Sequence, residues 1–570
     1  MDRRFVLAIV LMMVVLIVPQ VLLKKPPRPQ PAAGVVPAAP GAQPPVTAPT
    51  LVAPPGSEAS PLSVEAAEAV TAEDTVRVSS GLYEYAFSTR GGRLVEADLK
   101  KYRSMRRDEP GQTAQIVHQG GDLLTLALLT GRDTIPLKDV TFVPSAPAVD
   151  ANSGPATLTM TARMESGAGV ELTYRFTPDD YRVDVSGRVE GLGSNGGTLL
   201  IGLGPGLRNT EADSAEYARE LGVVTKSSRS QLTRFAELKN GTVKLLPGPF
   251  EWVGIKSKYF VAAILSLDTA KVGHGGLGGV QARGTDAVRR SPETADIWTS
   301  LTVNGSGDVA FSLYVGPMEY PRLRAIGHDF DDINPYGWAW LRPVIRPVAV
   351  GARWLLVWFH EKLGLAYGLG LVLFGVLIRV VLWPLNQRAM RASMAMQAIQ
   401  PVLKDIQDRY KNDPQRLQQE MFKVYKENNV NPLSGCWPVL VPWPVLIALF
   451  FVFQNTIELR GQSFLWIPDL SRPDPIYIIP ILMAVSMFGV TRIGQMGLPP
   501  NPQMKMMLYF MPVMMLVLFL KFASGLNLYY TVQNLASIPQ QWFVAKERMK
   551  RATLTASIPP PPAPKKAGKR

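Results

Sequence analysis

An arginine inside an apolar stretch is the residue whose position most needs a chemical explanation. Arg379 follows the uncharged run from Leu363 to Ile378 and precedes Trp383-Pro384 by four residues. A cation at the centre of a bilayer costs at least about 2.5–3.5 kcal/mol on insertion scales. The guanidinium must therefore either extend to the membrane interface or lie in a wetted cavity on the cytoplasmic side. We favour the cavity.

A polar stripe in the last apolar run could line such a cavity. Helical spacing relates its members, which are Asn527, Thr531, Asn534 and Gln541, flanked by Tyr530 and Ser537. A helix with this pattern has one polar face. The stripe could instead hydrogen-bond to neighbouring helices within a bundle. Taken together with an unpaired arginine, it favours a hydrated groove.

Few residues of the sequence are candidates for covalent catalysis or for binding a metal. The histidines lie far apart and lack metal-ligand spacing: His118, His274, His328 and His360. The single cysteine excludes a disulfide framework. Asp179 and Asp180 belong to a turn, Thr177-Pro-Asp-Asp180, and Gly202-Leu-Gly-Pro-Gly206 lacks the Lys-Ser/Thr ending of a phosphate-binding loop. We therefore expect no cofactor and no metal.

Three classes of function can be compared on these residues. An intramembrane enzyme needs a Ser-His pair, paired aspartates or a metal motif inside the apolar runs, and none occurs there. A transporter or channel would usually carry internal repeats or an intramembrane carboxylate, and we find neither. A translocation factor without enzymatic chemistry requires neither feature, and it is the class that we predict.

The composition divides the chain into a soluble part and a membrane part. Of its 570 residues, 47% are hydrophobic and 19% are charged, below the roughly 25% of typical globular proteins. Long uncharged runs occur in 350–545 and not in 76–330. The formal charge of +14 indicates an acidic partner, for which anionic lipid, ribosomal RNA and other nucleic acid all qualify.

The N-terminal residues predict an anchor followed by a tether. Phe5 to Leu23 is 19 residues without a charge, which nearly spans a bilayer, so we predict an uncleaved signal-anchor helix over 1–23. Lys24 to Pro61 contains 12 prolines, and 24–75 is predicted to be an extended Pro/Ala-rich linker.

Residues 76–330 are predicted to form a β-sandwich domain. Short alternating runs bounded by Gly and Pro are typical of such strands. The candidate strands are Gly81–Phe87, Leu172–Phe176, Tyr181–Val185, Tyr259–Leu265 and Val309–Val315.

The remaining apolar runs predict five further membrane spans, six in all with the anchor. Their bounds are 361–386, 435–457, 475–491, 506–521 and 524–545. Runs of 15 and 17 residues in this region predict short helices, which thin the surrounding bilayer. Residues 338–360 mix tryptophans with arginines and predict an amphipathic helix lying in the interface, or otherwise an aromatic belt before the next span.

Charges between the spans predict the topology. Residues 388–427 hold eight basic and five acidic side chains, and 546–570 hold eight basic and one acidic. Positive segments remain in the cytoplasm, which places both termini inside and the β domain outside. The segment 387–431 is predicted to be a helical hairpin with apolar stripes Val402, Ile406 and Tyr410, and Leu417, Met421 and Val424, joined at Asn412-Asp-Pro414. It is either a solvated hairpin or a docking surface.

Several motifs in the membrane part resemble those of the YidC membrane-protein insertases. The matching stretches, continuous over about 330–550, include Arg379-Val-Val-Leu-Trp-Pro-Leu385, Asn431-Pro-Leu-Ser-Gly-Cys-Trp-Pro438, Phe464-Leu-Trp-Ile-Pro-Asp-Leu470, Phe510-Met-Pro512 and Ser524-Gly-Leu-Asn-Leu-Tyr-Tyr530. A weaker likeness covers 76–320, at Thr89-Arg-Gly-Gly92 and Tyr314-Val-Gly-Pro317.

This resemblance implies a fold and a function. The fold is an α-helical polytopic membrane protein with six transmembrane helices, a five-helix insertase core, a periplasmic all-β sandwich domain and a cytoplasmic helical hairpin. The function is insertion and chaperoning of nascent inner-membrane proteins, alone or beside the Sec translocon, without enzymatic activity. Further partners would be the lipid bilayer and the ribosome, reached through the basic tail 546–570 and the cytoplasmic loops, with no specific DNA.

The resemblance also implies roles for individual residues. Arg379 would attract polar segments of the substrate in a groove shared with Asn527, Tyr530, Thr531 and Asn534. A hydrophobic slide for the substrate helix would comprise Leu446, Phe450, Met511 and Met514, of which the methionines adapt readily to varied partners; packing in a helical core is the alternative. The sequence departs from the family pattern at Pro442, where the family often has Gln, and at Pro539, which predicts a break in the last span.

Overall fold

The computed structural model describes residues 74–556 with several gaps. The gaps are 119, 132, 165–166, 193–195, 239–240, 267–275, 286–293, 337–339, 389–398, 429–442 and 498–501. The predicted anchor 1–23, almost all of the linker 24–75, Pro442 and the end of the basic tail lie outside the described residues.

The first part of the described chain is built from β-strands. In chain order they are β1 (Thr75–Ser79), β2 (Tyr83–Ser88), β3 (Leu94–Arg103), β4 (Thr113–Gln115), β5 (Thr125–Thr130), β6 (Asp133–Pro136), β7 (Val143–Pro144), β8 (Ala148–Asp150), β9 (Ala156–Arg163), β10 (Gly169–Phe176), β11 (Arg182–Glu190), β12 (Gly197–Gly202), β13 (Gly222–Lys226), β14 (Ser230–Arg234), β15 (Val243–Leu246), β16 (Trp252–Lys256), β17 (Phe260–Leu265), β18 (Leu277–Gly284), β19 (Ala295–Val303) and β20 (Asp308–Pro317). Each predicted strand overlaps one of these.

The strands form three sheets that share one apolar core. Their orders are β4-β3-β2-β1-β8, then β14-β13-β16-β17-β20-β11-β10-β9-β7, and β15-β18-β19-β12-β5-β6. Successive side chains of a strand point to opposite faces of the sheet, and this explains the packing. In β10, for example, Leu172 and Tyr174 are buried whereas Glu171 is exposed. The predicted hairpin turn is observed, because the Asp180 carboxylate accepts a hydrogen bond from the Arg182 amide at 3.1 Å.

Helices begin within the β domain and dominate after it. They are α1 (Ser214–Glu220), α2 (Tyr320–Ile326), α3 (Arg342–Leu363), α4 (Tyr367–Val381), α5 (Gln400–Arg409), α6 (Pro414–Glu427), α7 (Trp443–Asn455), α8 (Ile478–Gly494), α9 (Pro502–Phe519) and α10 (Ser524–Ala556). Gly364 ends α3 in the left-handed conformation at φ 63°.

Within the described residues, no helix combines the length and the apolar character that crossing a membrane requires. The predicted count of six membrane spans is therefore not confirmed.

The helices α4, α8 and α10 run in the same direction. Gly525 near the start of α10 lies against Leu371 of α4, and Arg379 of α4 contacts Gln540 further along α10. Asn534 meets Ser486 of α8 at 3.1 Å, and Arg548 contacts the end of α8. Between α8 and α10 the chain returns through α9. Near the start of α9, the Met504 carbonyl accepts a hydrogen bond from Gln495 Nε2.

The proline in α10 does not interrupt that helix. Pro539 lies inside an unbroken helix from Ser524 to Ala556, so the predicted break is wrong. A proline removes one backbone hydrogen bond, and neighbouring helices compensate for that loss in a packed bundle. The helix extends beyond the predicted end of the span at 545 and includes the first part of the basic tail.

The hairpin α5–α6 has a small apolar core that matches its two predicted stripes only in part, through Ile406, Met421 and Val424. Asp413 caps α6 by accepting a hydrogen bond from the Arg416 amide, and Pro414 begins the helix as predicted. In α5 the small core uses Leu403 rather than Val402, which is 49% exposed. The two residues are adjacent, and only the partner helix decides which of them faces inward.

Candidate functional site

The guanidinium of Arg379 is held by an amide on the neighbouring helix α10. Its Nη2 donates to Gln540 Oε1 at 2.6 Å, and Gln540 Nε2 donates to the Trp383 carbonyl at 3.3 Å. Gln540 is buried and Arg379 is half-buried. The Nε of Arg379 is buried and has no hydrogen-bond partner among the described residues. Among the residues that the structure describes, no carboxylate pairs with this cation.

Close approach of the two helices creates this contact. Gly375 lies one turn before Arg379, and a Cβ there would stand 3.0 Å from Val532 of α10. Small residues at helix interfaces allow such approach. Val380 and Val381, which follow Arg379, are about 60% exposed. The charge therefore lies between a packed helix interface and an open apolar surface.

Three residues of the predicted groove make hydrogen bonds within the protein. Asn534 Nδ2 donates to the Met483 carbonyl at 3.3 Å and to Ser486 Oγ at 3.1 Å, both on α8. Asn527 is fully buried and donates to the Phe519 carbonyl at the end of α9. Thr531 Oγ1 donates to the Asn527 carbonyl of its own helix at 2.8 Å. For Asn527 and Asn534, the alternative of hydrogen bonding between helices of the bundle describes the contacts.

Tyr530 is half-buried and packs edge-on against Phe519, with ring centroids 5.2 Å apart. In the described contacts, Arg379 hydrogen-bonds to Gln540, a residue that the predicted groove did not include. Gln540 does not belong to the predicted polar stripe, so helical periodicity did not identify it. The only sequence feature that pointed to it was its position as a second amide residue next to Gln541.

The predicted slide residues lie on α7 and α9. Leu446, Phe450, Met511 and Met514 are all half-buried. Phe450 packs edge-on against Phe522, which follows α9, at 5.4 Å between ring centroids. The helix α7 therefore approaches the link between α9 and α10.

Two buried arginines join the β domain to the helices. Arg353 on α3 donates through Nη2 to both carboxylate oxygens of Glu458, at 2.8 and 2.9 Å, and to the Met318 carbonyl at the end of the sheet. Arg460 donates to Glu211 at 2.9 Å and lies over the rings of Tyr259 and Phe260. The sequence prediction assigned neither role, because each contact links distant parts of the chain.

Comparison with known proteins divides the chain in the same way, into a β domain and a helical membrane part. The family model described as YidC periplasmic domain matches residues 75–345, and the model described as 60Kd inner membrane protein matches 358–552. A protein of Chlorobaculum parvum named membrane protein insertase YidC is 32% identical over 537 residues, which cover 87% of this chain and 88% of the relative. A relative of the same name from Chlorobium phaeovibrioides is 33% identical, covering 86% of each chain.

The chain belongs to the YidC family of membrane protein insertases. The predicted resemblance is therefore confirmed, and it extends over the β domain as well as the helices. A crystal structure described as an active YidC insertase with its first transmembrane domain resolved aligns at 17% identity over 83% of this chain and 93% of that chain, with a TM-score of 0.34.

The packing role of Asn534 can be tested in the intact protein. We expect Asn534→Leu to lower stability by about 0.6 kcal/mol, and at most about 1.7 kcal/mol, as for other hydrogen bonds between membrane helices. Thermal denaturation of Asn534→Leu, Ser486→Ala and the double variant measures the coupling. Additive losses would contradict the hydrogen bond, and strongly reduced insertion by a stably folded Asn534→Leu would contradict a purely structural role.

Proposed function

We propose that this protein inserts nascent membrane proteins into the inner membrane and assists their folding, through a groove that contains Arg379. The observation that carries the proposal is a half-buried guanidinium whose described partner is a neutral amide. Such a cation retains its attraction for acidic and polar groups, since no carboxylate in the described part of the chain neutralises it. The mechanism needs no covalent step, no cofactor and no metal.

An apolar surface on the helices supports a membrane location. Large apolar side chains are more than one-third exposed on four helices, including Leu373, Val376 and Val380 of α4, Ile481 and Val485 of α8, Val513 and Val517 of α9, and Leu535 and Phe543 of α10. Contiguous exposed apolar patches mark contacts with lipid or protein. In our proposal this surface faces the hydrocarbon of the bilayer.

Short helices assist the proposed reaction. The helices α4, α8 and α9 contain 15, 17 and 18 residues, which corresponds to about 22–27 Å at the α-helical rise. A bilayer thins around helices shorter than its hydrocarbon thickness. A thinner bilayer next to a buried cation lowers the free-energy barrier for moving a polar segment partway across.

The proposed path of a substrate joins the groove to the apolar slide. The polar outer segment of the substrate approaches Arg379, and its apolar helix moves along Leu446 and Phe450 of α7 and Met511 and Met514 of α9 into the lipid. Asn527, Tyr530, Thr531 and Asn534 form the packed wall of α10 behind this path rather than direct ligands.

The proposed topology has both termini in the cytoplasm and the β domain in the periplasm. It includes the signal anchor 1–23, the linker 24–75 and the five spans predicted above. Positive charge in the hairpin 387–431 and the tail 546–570 supports this orientation and contact with the ribosome. The Sec translocon is the proposed partner for larger clients.

Site-specific photocrosslinking tests the proposed path. We expect a photoreactive phenylalanine analogue at Leu446, Phe450, Met511 or Met514 to crosslink to a stalled nascent membrane protein. The matched control is Val485 of α8, which is 61% exposed and lies off the path. Equal crosslinking at Val485 and the four slide positions would contradict the proposed path.

A further inference from the structure

A basic cleft lies at the base of the β domain, beside the start of α3. Its volume is about 810 Å³, and the strands β13 and β14, the turn between them, and residues before and within α3 enclose it. Five cationic side chains line it, from two separate parts of the chain: Lys226, Arg229, Arg234, Arg342 and Arg346. The lining contains two carboxylates, Asp329 and Asp332.

The carboxylates neutralise only part of this charge. Lys226 Nζ donates to Asp329 at 2.8 Å, and Arg346 lies 3.5 Å from both Asp329 and Asp331, the second of which is next to the lining. The hydrogen bond from Lys226 lowers the pKa of Asp329, whereas burial raises the pKa of Asp332. Asp332 is thus the more easily protonated of the two.

Two arginines of the cleft have no ion pair with a described residue, and a third is only partly neutralised. Arg229 and Arg234 are exposed, and neither makes an ion pair with a residue that the structure describes. Arg342 lies 3.7 Å from Asp332 and donates through Nη1 to the Ser230 carbonyl at 3.2 Å, while its buried Nε has no hydrogen-bond partner among the described residues. The cleft therefore offers guanidinium groups from two sides, a geometry suited to the oxygens of a phosphate diester.

One wall of the cleft is apolar and leads toward the helices. Phe451 of α7 lines it together with Pro343 and Pro347 of α3. On its outer side α3 exposes Trp354 and Trp358, as an amphipathic helix at a membrane surface does. A ligand with an anionic head and an apolar tail fits this arrangement better than a free anion or an acidic peptide.

We propose that this cleft binds the headgroup of an anionic phospholipid of the periplasmic leaflet. The phosphate lies among Arg229, Arg342 and Arg346, and an acyl chain follows Phe451 along α7. The bound lipid fastens the base of the β domain to the membrane beside the groove. This inference rests on the proposed membrane location of α3 and α7, and it is independent of the role of Arg379.

Photolabelling by lipid tests the site in the full-length protein. Phosphatidylcholine nanodiscs would carry a trace of either photoactivatable phosphatidylglycerol or photoactivatable phosphatidylcholine, and labelled peptides would be mapped by mass spectrometry. We expect phosphatidylglycerol to label peptides containing residues 226–234 and 342–351 preferentially. Arg229→Gln should reduce this labelling about fivefold, since one basic residue at an anionic surface contributes about that factor.

Two variants control for charge and for folding. Arg229→Lys should retain labelling within about twofold, because the lysine preserves the positive charge. Arg175→Gln removes an exposed arginine of β10 outside the cleft and should leave labelling unchanged. Arg379→Ala should label like the unaltered chain, so that failure of the proposed insertion mechanism and failure of the lipid site are distinguished.

Several results would overturn the proposal. Equal labelling by the two lipids would exclude selection of an anionic headgroup. Loss of labelling on addition of millimolar inorganic phosphate would indicate a site for the free anion. Displacement by an acidic peptide, with no preference between the lipids, would indicate a protein partner instead.

Discussion

Replacing Arg379 by alanine is expected to reduce insertion of a small two-span substrate at least about tenfold. Hydrogen bonds to a charged group contribute about 1.5–3 kcal/mol, and each 1.4 kcal/mol corresponds to a factor of ten. Arg379→Lys keeps the positive charge and should retain much more activity than alanine. A depletion strain complemented with each variant, scored by protease accessibility of the substrate, measures the difference.

Two further variants separate the charge of Arg379 from its position. Gln540→Ala removes the described hydrogen-bond partner but leaves the cation, so insertion should fall less than with Arg379→Ala. Arg492→Ala removes an exposed arginine in the last turn of α8 and should have no effect. Because clients differ in their polar segments, several should be assayed. Equal insertion by Arg379→Ala and the unaltered protein for every client would remove Arg379 from the mechanism.

The second large effect is expected where the β domain joins the helices. Glu458→Gln should destabilise the folded chain by about 3–5 kcal/mol, because it leaves the buried Arg353 guanidinium without its counter-charge. Arg353→Met should cost a similar amount, because it leaves the largely buried Glu458 carboxylate without its cation. Thermal denaturation of the purified full chain, together with limited proteolysis between the β domain and α3, measures the loss.

An exposed ion pair of the β domain provides the control for this experiment. Arg188 and Asp308 pair at 2.9 Å on the surface, so Arg188→Met should cost no more than about 1 kcal/mol. The double variant Arg353→Met with Glu458→Leu should recover much of the stability, since two apolar side chains leave no buried charge. A loss for Glu458→Gln no greater than for Arg188→Met would show that the buried pair does not fasten the domain.

Most of the secondary structure, and the family to which the chain belongs, could be predicted from local sequence patterns. Alternation located β10 and β11 because a two-residue period leaves one face of each strand apolar. Asp413 and Pro414 identified the start of α6, since capping depends on neighbouring residues. Arg379 also stood out from the sequence, because a charge within an apolar run is costly wherever the chain folds.

Only the tertiary structure decided which side chains meet. Periodicity placed Asn534 on a polar face but could not distinguish a groove from a neighbouring helix, and α8 occupies that position. Arg379 and Gln540 are 161 residues apart, and Arg353 and Glu458 are 105 apart. Such pairings follow from the packing of whole helices and sheets, which fixes side-chain direction and distance and which no short segment of sequence encodes.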